Sequence, residues 1–456
     1  MKVLRAAWIA PMDRPPIANG AVAFDAGRIA FAGAWQDARA QFGSAGVEDL
    51  GDAIILPGLV NAHTHLELSS CVPNIPHGSS TLNKAPVQPP GATPASTTLL
   101  AGSRGDAGVA PTEGIHDRAS VGPTSFVDWV LNLAGQTRTT DDEDAHSFFT
   151  AAANRGVREC LRFGVTSVGD ISQRCDITRP LLSRGPLRVV SYGEALGIGL
   201  TRPRFEERLS RAADARWESG RLHTGISPHA TYSVDRRGFV SALSLTRNRG
   251  LPIATHLAEL PFEAEFLERH AGPLRTLLDR IGTWSDAIET YPAPPIQFAH
   301  AIGLLDDPAL LAHVNYCDDA ELALLARGRA NVVYCPRTHR YFDHPPHRWR
   351  EMLDAGVNVA VGTDSCASSP DLNLVDELRL LHFIAPEVPP LTLWQMATSR
   401  AAIAIEQEKN VGTLESGKAA DFAIFEIERG DDPLRSILEC ASIPRSVFIA
   451  GDAIRP

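Results

Sequence analysis

The spacing of apolar and polar residues changes repeatedly along the chain. Two short apolar runs, 21–24 and 28–32, flank Asp25-Ala26-Gly27, which predicts a hairpin. The C-terminal end has the same character, with strand-like runs at 421–425 and 446–450 among Gly and Asp residues. Residues 1–55 and 406–456 are therefore expected to form one small β-sandwich domain from both chain termini, enclosing residues 56–405.

Within 56–405, strand-like and helix-like stretches alternate. Strands are predicted at 56–60, 165–168, 187–192, 223–227, 252–255, 296–299, 331–334 and 358–361. Helical patterns around 144–161, 204–217, 236–247, 308–326 and 349–355 separate several of them. Repeated βα alternation predicts an α/β fold with a parallel sheet. Eight such units at this length predict a closed (β/α)8, TIM-type barrel. Residues 72–124 break the pattern: they are rich in Pro, Gly, Ser and Thr and show little apolar periodicity. A disordered insertion in the barrel domain is expected there. Helical character returns at Phe126 to Val130, where Phe126 and Trp129 either stack on an aromatic substrate or pack a helix.

In such barrels the chemistry sits at the C-terminal ends of the strands. Those positions carry ionisable residues here. The first strand runs into His63-Thr64-His65, and residues two apart on a strand share a face, so both imidazoles can aim at one metal ion. Glu194 follows the third strand, His229 the fourth, and His256 the fifth, with Glu259 three residues on. His300 follows the run at 296–299, Cys335-Pro336-Arg337-Thr338-His339 the seventh strand, and Asp364 the eighth. A lone histidine after a strand is more often structural. Several at one rim are hard to explain as core packing, because buried polar groups cost free energy unless paired.

Bulk properties narrow the partners. The 456 residues are 44% hydrophobic and carry a formal net charge of −11, with no long basic run. A small-molecule partner is expected, with no nucleic acid and no membrane; a homo-oligomer is compatible. No run of about 18 apolar residues exists to span a bilayer. The seven cysteines are scattered without a Cys-x-x-Cys pair, which fits free thiols in a reducing, cytoplasmic setting.

Taken in order, these motifs resemble the amidohydrolase superfamily. The resemblance rests on Pro57-Gly58-Leu59-Val60-Asn61-Ala62-His63-Thr64-His65, Ser227-Pro228-His229-Ala230, Thr255-His256-Leu257-Ala258-Glu259, Phe298-Ala299-His300, Gly362-Thr363-Asp364-Ser365 and the stretch from Val411 to Asp421. The His-x-x-Glu after the fifth strand resembles the branch of chlorohydrolases and nucleoside or cytosine-type deaminases. No lysine follows the fourth strand, which implies a single metal. The resemblance implies one divalent cation, zinc or else iron, on His63, His65, His256 and Asp364. It implies Glu259 as proton shuttle, Asp364 as acceptor of the water's proton and His300 as the group orienting the nucleophile. Glu259 could instead be an ordinary acidic residue of a helix start. His229 is a substrate contact or a support for the metal ligands.

Two departures bear on the substrate. Thr231 stands where many members of this branch have Pro, and the segment after the seventh strand carries Arg337, His339 and Arg340. That segment is either a solvated basic loop or a carboxylate clamp, Arg being suited to bidentate carboxylate binding. It resembles the aminofutalosine deaminases of menaquinone biosynthesis. The expected function is hydrolytic deamination of an aminated heteroaromatic ring, in particular an adenine nucleoside such as aminodeoxyfutalosine, with Trp129, Glu194, His229, Arg337 and His339 as substrate contacts. The alternatives are a chlorohydrolase, a guanine- or cytosine-type aminohydrolase or another amidohydrolase, and, outside enzymes, an inactive scaffold relative.

Overall fold

Eight short runs of buried residues form two four-stranded parallel sheets in the computed structural model, which describes residues 1–43, 45–73, 125–428, 430 and 432–454. The first sheet contains β1 (Leu59–Thr64), β2 (Val165–Ser172), β3 (Arg188–Ala195) and β4 (Leu222–Pro228). The second contains β5 (Ala254–Leu257), β6 (Leu310–His313), β7 (Asn331–Tyr334) and β8 (Asn358–Val361). Parallel bridges join the sheets at both seams: Ile226 to Ile253 and Ala230 to His256 between β4 and β5, and Thr64 to Asp364 between β8 and β1. The insertion expected at 72–124 falls, from residue 74 on, outside the described residues.

Strand periodicity sorts the side chains into two layers. Val60, Ala62, Val190, Tyr192, Leu310, Ala312 and Val333 join one cluster, together with Ala401, Ala402 and Ile405. Their neighbours Leu59, Val189, Leu311 and Val332 pack in the second, larger cluster. Gly362, just past β8, permits the close approach of β8 to β1: a Cβ there would lie 2.7 Å from the His63 carbonyl oxygen.

The structure corrects the sixth strand. Residues 296–299 lie in the helix Pro295–Ala301, entered through Pro294-Pro295, and Pro is well suited to a first helical turn. The strand is instead Leu310–His313, inside the stretch expected to be helical, whose helix begins only at Asp319. The run Ala309-Leu310-Leu311-Ala312 is continuously buried. A parallel strand covered on both faces has this pattern, which periodicity alone does not separate from a buried helix.

The two termini share one eight-stranded sheet. Phe422–Glu426 pairs antiparallel with Ala53–Pro57, which in turn pairs with Lys2–Ile9. The sheet brings Phe24 of the N-terminal hairpin against Phe422 and Phe448, at ring-centroid distances of 5.4 and 6.5 Å. Asp421 ties this sheet to β3 by accepting from Arg188 Nε at 2.7 Å. All seven cysteines are free. Among the described residues no helix is long and apolar enough to cross a membrane.

Candidate active site

The ends of β1, β5, β6 and β8 deliver four histidines and two carboxylates to one place. His63 and His65 leave β1 with ring centroids 5.1 Å apart, and His63 is fully buried. Asp364 Oδ1 lies 3.8 Å from His63 Nε2 and 3.6 Å from His65 Nε2. His256 Nε2 lies 3.4 Å from His65 Nε2. Four ligands about 2.1 Å from a tetrahedral ion stand about 3.4 Å apart, so these separations have the scale of one coordination sphere.

The hydrogen bonding supports that fit. Neither ring nitrogen of His63 has a hydrogen-bond partner among the described residues, although the side chain is buried. His256 directs Nδ1 to the His229 carbonyl oxygen at 3.2 Å, which turns Nε2 towards His65. Ser368 Oγ donates to Asp364 Oδ2 at 3.2 Å, leaving Oδ1 to face the two imidazoles. Burial holds His63, His65, His229 and His313 well below the usual histidine range and takes His256 down to about 4. Neutral imidazole is the form that binds a metal. Metal-compatible triads comprise His63, His65 and Asp364; His63, His256 and His313; and Glu194, His229 and His256. His63, His65, His256 and Asp364 supply three nitrogens and one oxygen, a donor set that suits zinc.

Beside these residues stands Glu259, 6% exposed, with Oε1 3.7 Å from His313 Nε2. Tyr232 donates its hydroxyl to Glu259 Oε2 at 3.4 Å. Burial, reinforced by the nearby Asp364 charge, pushes the Glu259 carboxyl well above the usual range. Glu194 closes the other side, with Oε1 3.8 Å from His229 Nε2 and 4.0 Å from His256 Nδ1, and burial lifts it to about 8. Ala258, His313 and Asp364 all adopt positive φ, at 51°, 72° and 56°. Such backbone costs about 1 kcal/mol or more per residue and persists only where surrounding contacts enforce it.

Three expected site residues are placed differently. His300 sits exposed on the helix Pro295–Ala301, because the run before it is not a strand. His313, at the end of β6, occupies the strand-end position expected of His300; sequence reasoning did not single it out, although the apolar run that ends in that histidine was a signal that could have found it. Arg337 is not a free clamp. Its Nε bonds Glu377 Oε1 at 2.6 Å, and its Nη1 and Nη2 bond Asp371 Oδ1 and the Asp371 carbonyl oxygen at 2.7 and 2.8 Å. His339 is buried among Tyr334, His344 and His347, and its Nε2 has no partner among the described residues. Trp129 stays at the rim: its indole N–H donates to the Ala367 carbonyl oxygen at 2.9 Å, and its ring packs against Phe126 and Phe342.

The sequence pattern of the amidohydrolase family matches residues 54–454. A 5-methylthioadenosine/S-adenosylhomocysteine deaminase of Moorella thermoacetica is 26% identical over 432 residues, which is 92% of this chain and 84% of that protein. An aminodeoxyfutalosine deaminase of Deinococcus radiodurans is 30% identical over 256 residues, 54% of this chain and 61% of that protein. The crystal structure of Helicobacter pylori aminofutalosine deaminase with methylthio-coformycin covers 100% of both chains, with a TM-score of 0.77 at 21% identity, and so shares the fold. A match across that length places the chain in the amidohydrolase family, as a hydrolase of carbon–nitrogen bonds other than peptide bonds.

Proposed function

We propose that the protein deaminates an adenine nucleoside at C6, releasing ammonia and leaving a 6-oxo ring. The observation that carries this reading is Glu259, a buried carboxylate beside both His313 and the residues suited to hold a metal. The reading takes residues 56–405 as one (β/α)8 barrel closed at the two bridged seams. It takes 1–55 with 406–456 as the supporting sheet unit.

His63, His65, His256 and Asp364 would hold one divalent cation, zinc from the donor set, with iron as the alternative. Bound there, the cation supplies activation of water at neutral pH. Asp364 accepts a proton from the attacking water as its oxygen bonds C6. Glu259 delivers its proton to the neighbouring ring nitrogen, takes the second proton of the attacking water from the new C6–OH and carries it to the exocyclic amine, and the proton on Asp364 then returns to Glu259. The C–N bond breaks and ammonia leaves. The division of labour matches zinc deaminases of another fold, in which a Glu that is not a ligand moves the proton. His313 orients the water, the role first expected of His300. Glu194 and His229 contact the nucleoside from the opposite side.

The arm beyond the ribose meets Trp129, Phe126 and Phe342, an aromatic rim without a free guanidinium at Arg337. That favours an uncharged, apolar 5′ substituent, as in methylthioadenosine. The carboxylated aminodeoxyfutalosine, which would place the protein in menaquinone biosynthesis, is the second reading; the name of the Deinococcus radiodurans relative supports it. Ammonia release from methylthioadenosine, aminodeoxyfutalosine and adenosine, set beside chloride release from a chlorotriazine, tests this. Methylthioadenosine should show the highest kcat/KM. Turnover of the chlorotriazine alone would replace the deaminase reading with the chlorohydrolase one.

A further inference from the structure

Glu263 is 1% exposed and lies four residues after Glu259, outside the proton path described above. Its Oε1 accepts from the backbone N–H of Glu259 at 2.7 Å and of Leu260 at 3.0 Å. Its Oε2 accepts from Thr231 Oγ1 at 3.1 Å. One buried carboxylate thus bridges the segment after β4, which carries His229, Thr231 and Tyr232, and the segment after β5, which carries Glu259.

We propose that Glu263 is a positioning residue for Glu259, acting with Thr231 as a latch between the two segments. This rests on the role assigned to Glu259 in the proposed function. The segment needs a latch because Ala258 has φ +51°, a conformation that an alanine holds only under external constraint. The neighbouring groups of the same segment are also held: Tyr316 N–H donates to the Ala258 carbonyl oxygen at 3.1 Å, and Asn315 Nδ2 donates to that of Glu259 at 3.1 Å. The N–H groups of Glu259 and Leu260 have Glu263 as their acceptor, and buried backbone donors must be satisfied. Thr231 immediately precedes Tyr232, whose hydroxyl reaches Glu259 Oε2. The latch therefore fixes both the backbone of Glu259 and the donor to its carboxylate. A side chain other than Pro at position 231 gains a purpose, since Pro offers no hydroxyl.

The test compares full-length, metal-loaded Glu263→Gln, Glu263→Leu and Thr231→Val with the wild type. Gln retains an acceptor for both N–H groups and can donate to the Thr231 hydroxyl, so it should keep kcat near the wild-type value. Leu removes the acceptors, and displacement of a reacting group by about 1 Å costs about a hundredfold in rate. Glu263→Leu should lose kcat on that scale with KM and metal content little changed. Its amide hydrogen exchange at Glu259 and Leu260 should accelerate. Thr231→Val should show the same signs more weakly, and it keeps the test decisive if Glu263→Leu does not fold. Unchanged exchange in the folded variants would overturn the proposal. So would Gln being as impaired as Leu, or a loss confined to stability. Wild-type protein that released no ammonia from any adenine nucleoside would contradict the deaminase reading, while the exchange comparison would still decide the latch.

Discussion

His65 and His256 bring their Nε2 atoms to 3.4 Å although 191 residues separate them in the chain. These two imidazoles, His256 buried and His65 largely so, face Asp364 or its neighbour His63 and can hydrogen-bond one another only in unlike neutral tautomers or with one protonated. Burial disfavours protonation of both. A shared cation satisfies both nitrogens at once.

His256→Ala and Asp364→Ala should therefore lose metal and activity together. Purified wild-type protein should carry about one equivalent of metal, the single four-ligand site of a zinc hydrolase. Elemental analysis of the purified variants measures this. Stoichiometric metal and normal turnover in Asp364→Ala would rule the site out.

The two histidines competing for one role separate cleanly. His313 lies 3.7 Å from Glu259, whereas His300 is exposed on a helix. His313→Ala should lower kcat about a hundredfold or more, the usual contribution of a group that handles protons. His300→Ala should leave kcat and KM at wild-type values, and a large loss there would mean that the helix Pro295–Ala301 has a catalytic part.

Glu259→Gln preserves shape and removes the proton. With metal bound, its kcat should fall about 10²–10⁴-fold, while substrate binding measured by titration changes little. A wild-type rate in this variant would exclude the shuttle.

Arg337 should behave as a structural residue. Its partner Glu377 is fully buried, and removing one member of a buried ion pair costs about 3–5 kcal/mol because the other charge is left uncompensated. Arg337→Ala should lower Tm markedly and leave the ranking of nucleoside substrates unchanged. A selective loss on carboxylated substrates, at unchanged Tm, would restore the clamp.

Much of the site was legible because its signals are local. His63 and His65 share one strand face, which offered two imidazoles to one point, and Asp364 follows a short apolar run; the resemblance to the amidohydrolases joined them into one expected ligand set. The sixth strand was not legible: Ala309-Leu310-Leu311-Ala312 reads equally as a buried helix, and 296–299 reads equally as a strand. The error put His300 at the strand end where the structure has His313. The fate of Arg337 depended on Asp371 and Glu377, 34 and 40 positions away, and no local pattern announces which distant carboxylates will meet a guanidinium. Glu263 was hidden for a similar reason, since its partners are one threonine on another segment and two backbone amides.

If these residues deaminate an adenine nucleoside with the help of a bound cation, activity follows the cation. The most direct measurement is ammonia release from methylthioadenosine by chelator-treated protein before and after stoichiometric zinc is restored. Release should be absent without metal and return with zinc, with the 6-oxo nucleoside formed in equal amount to ammonia. Equal ammonia release with and without metal would contradict this, and so would zinc-loaded protein that turns over no adenine nucleoside.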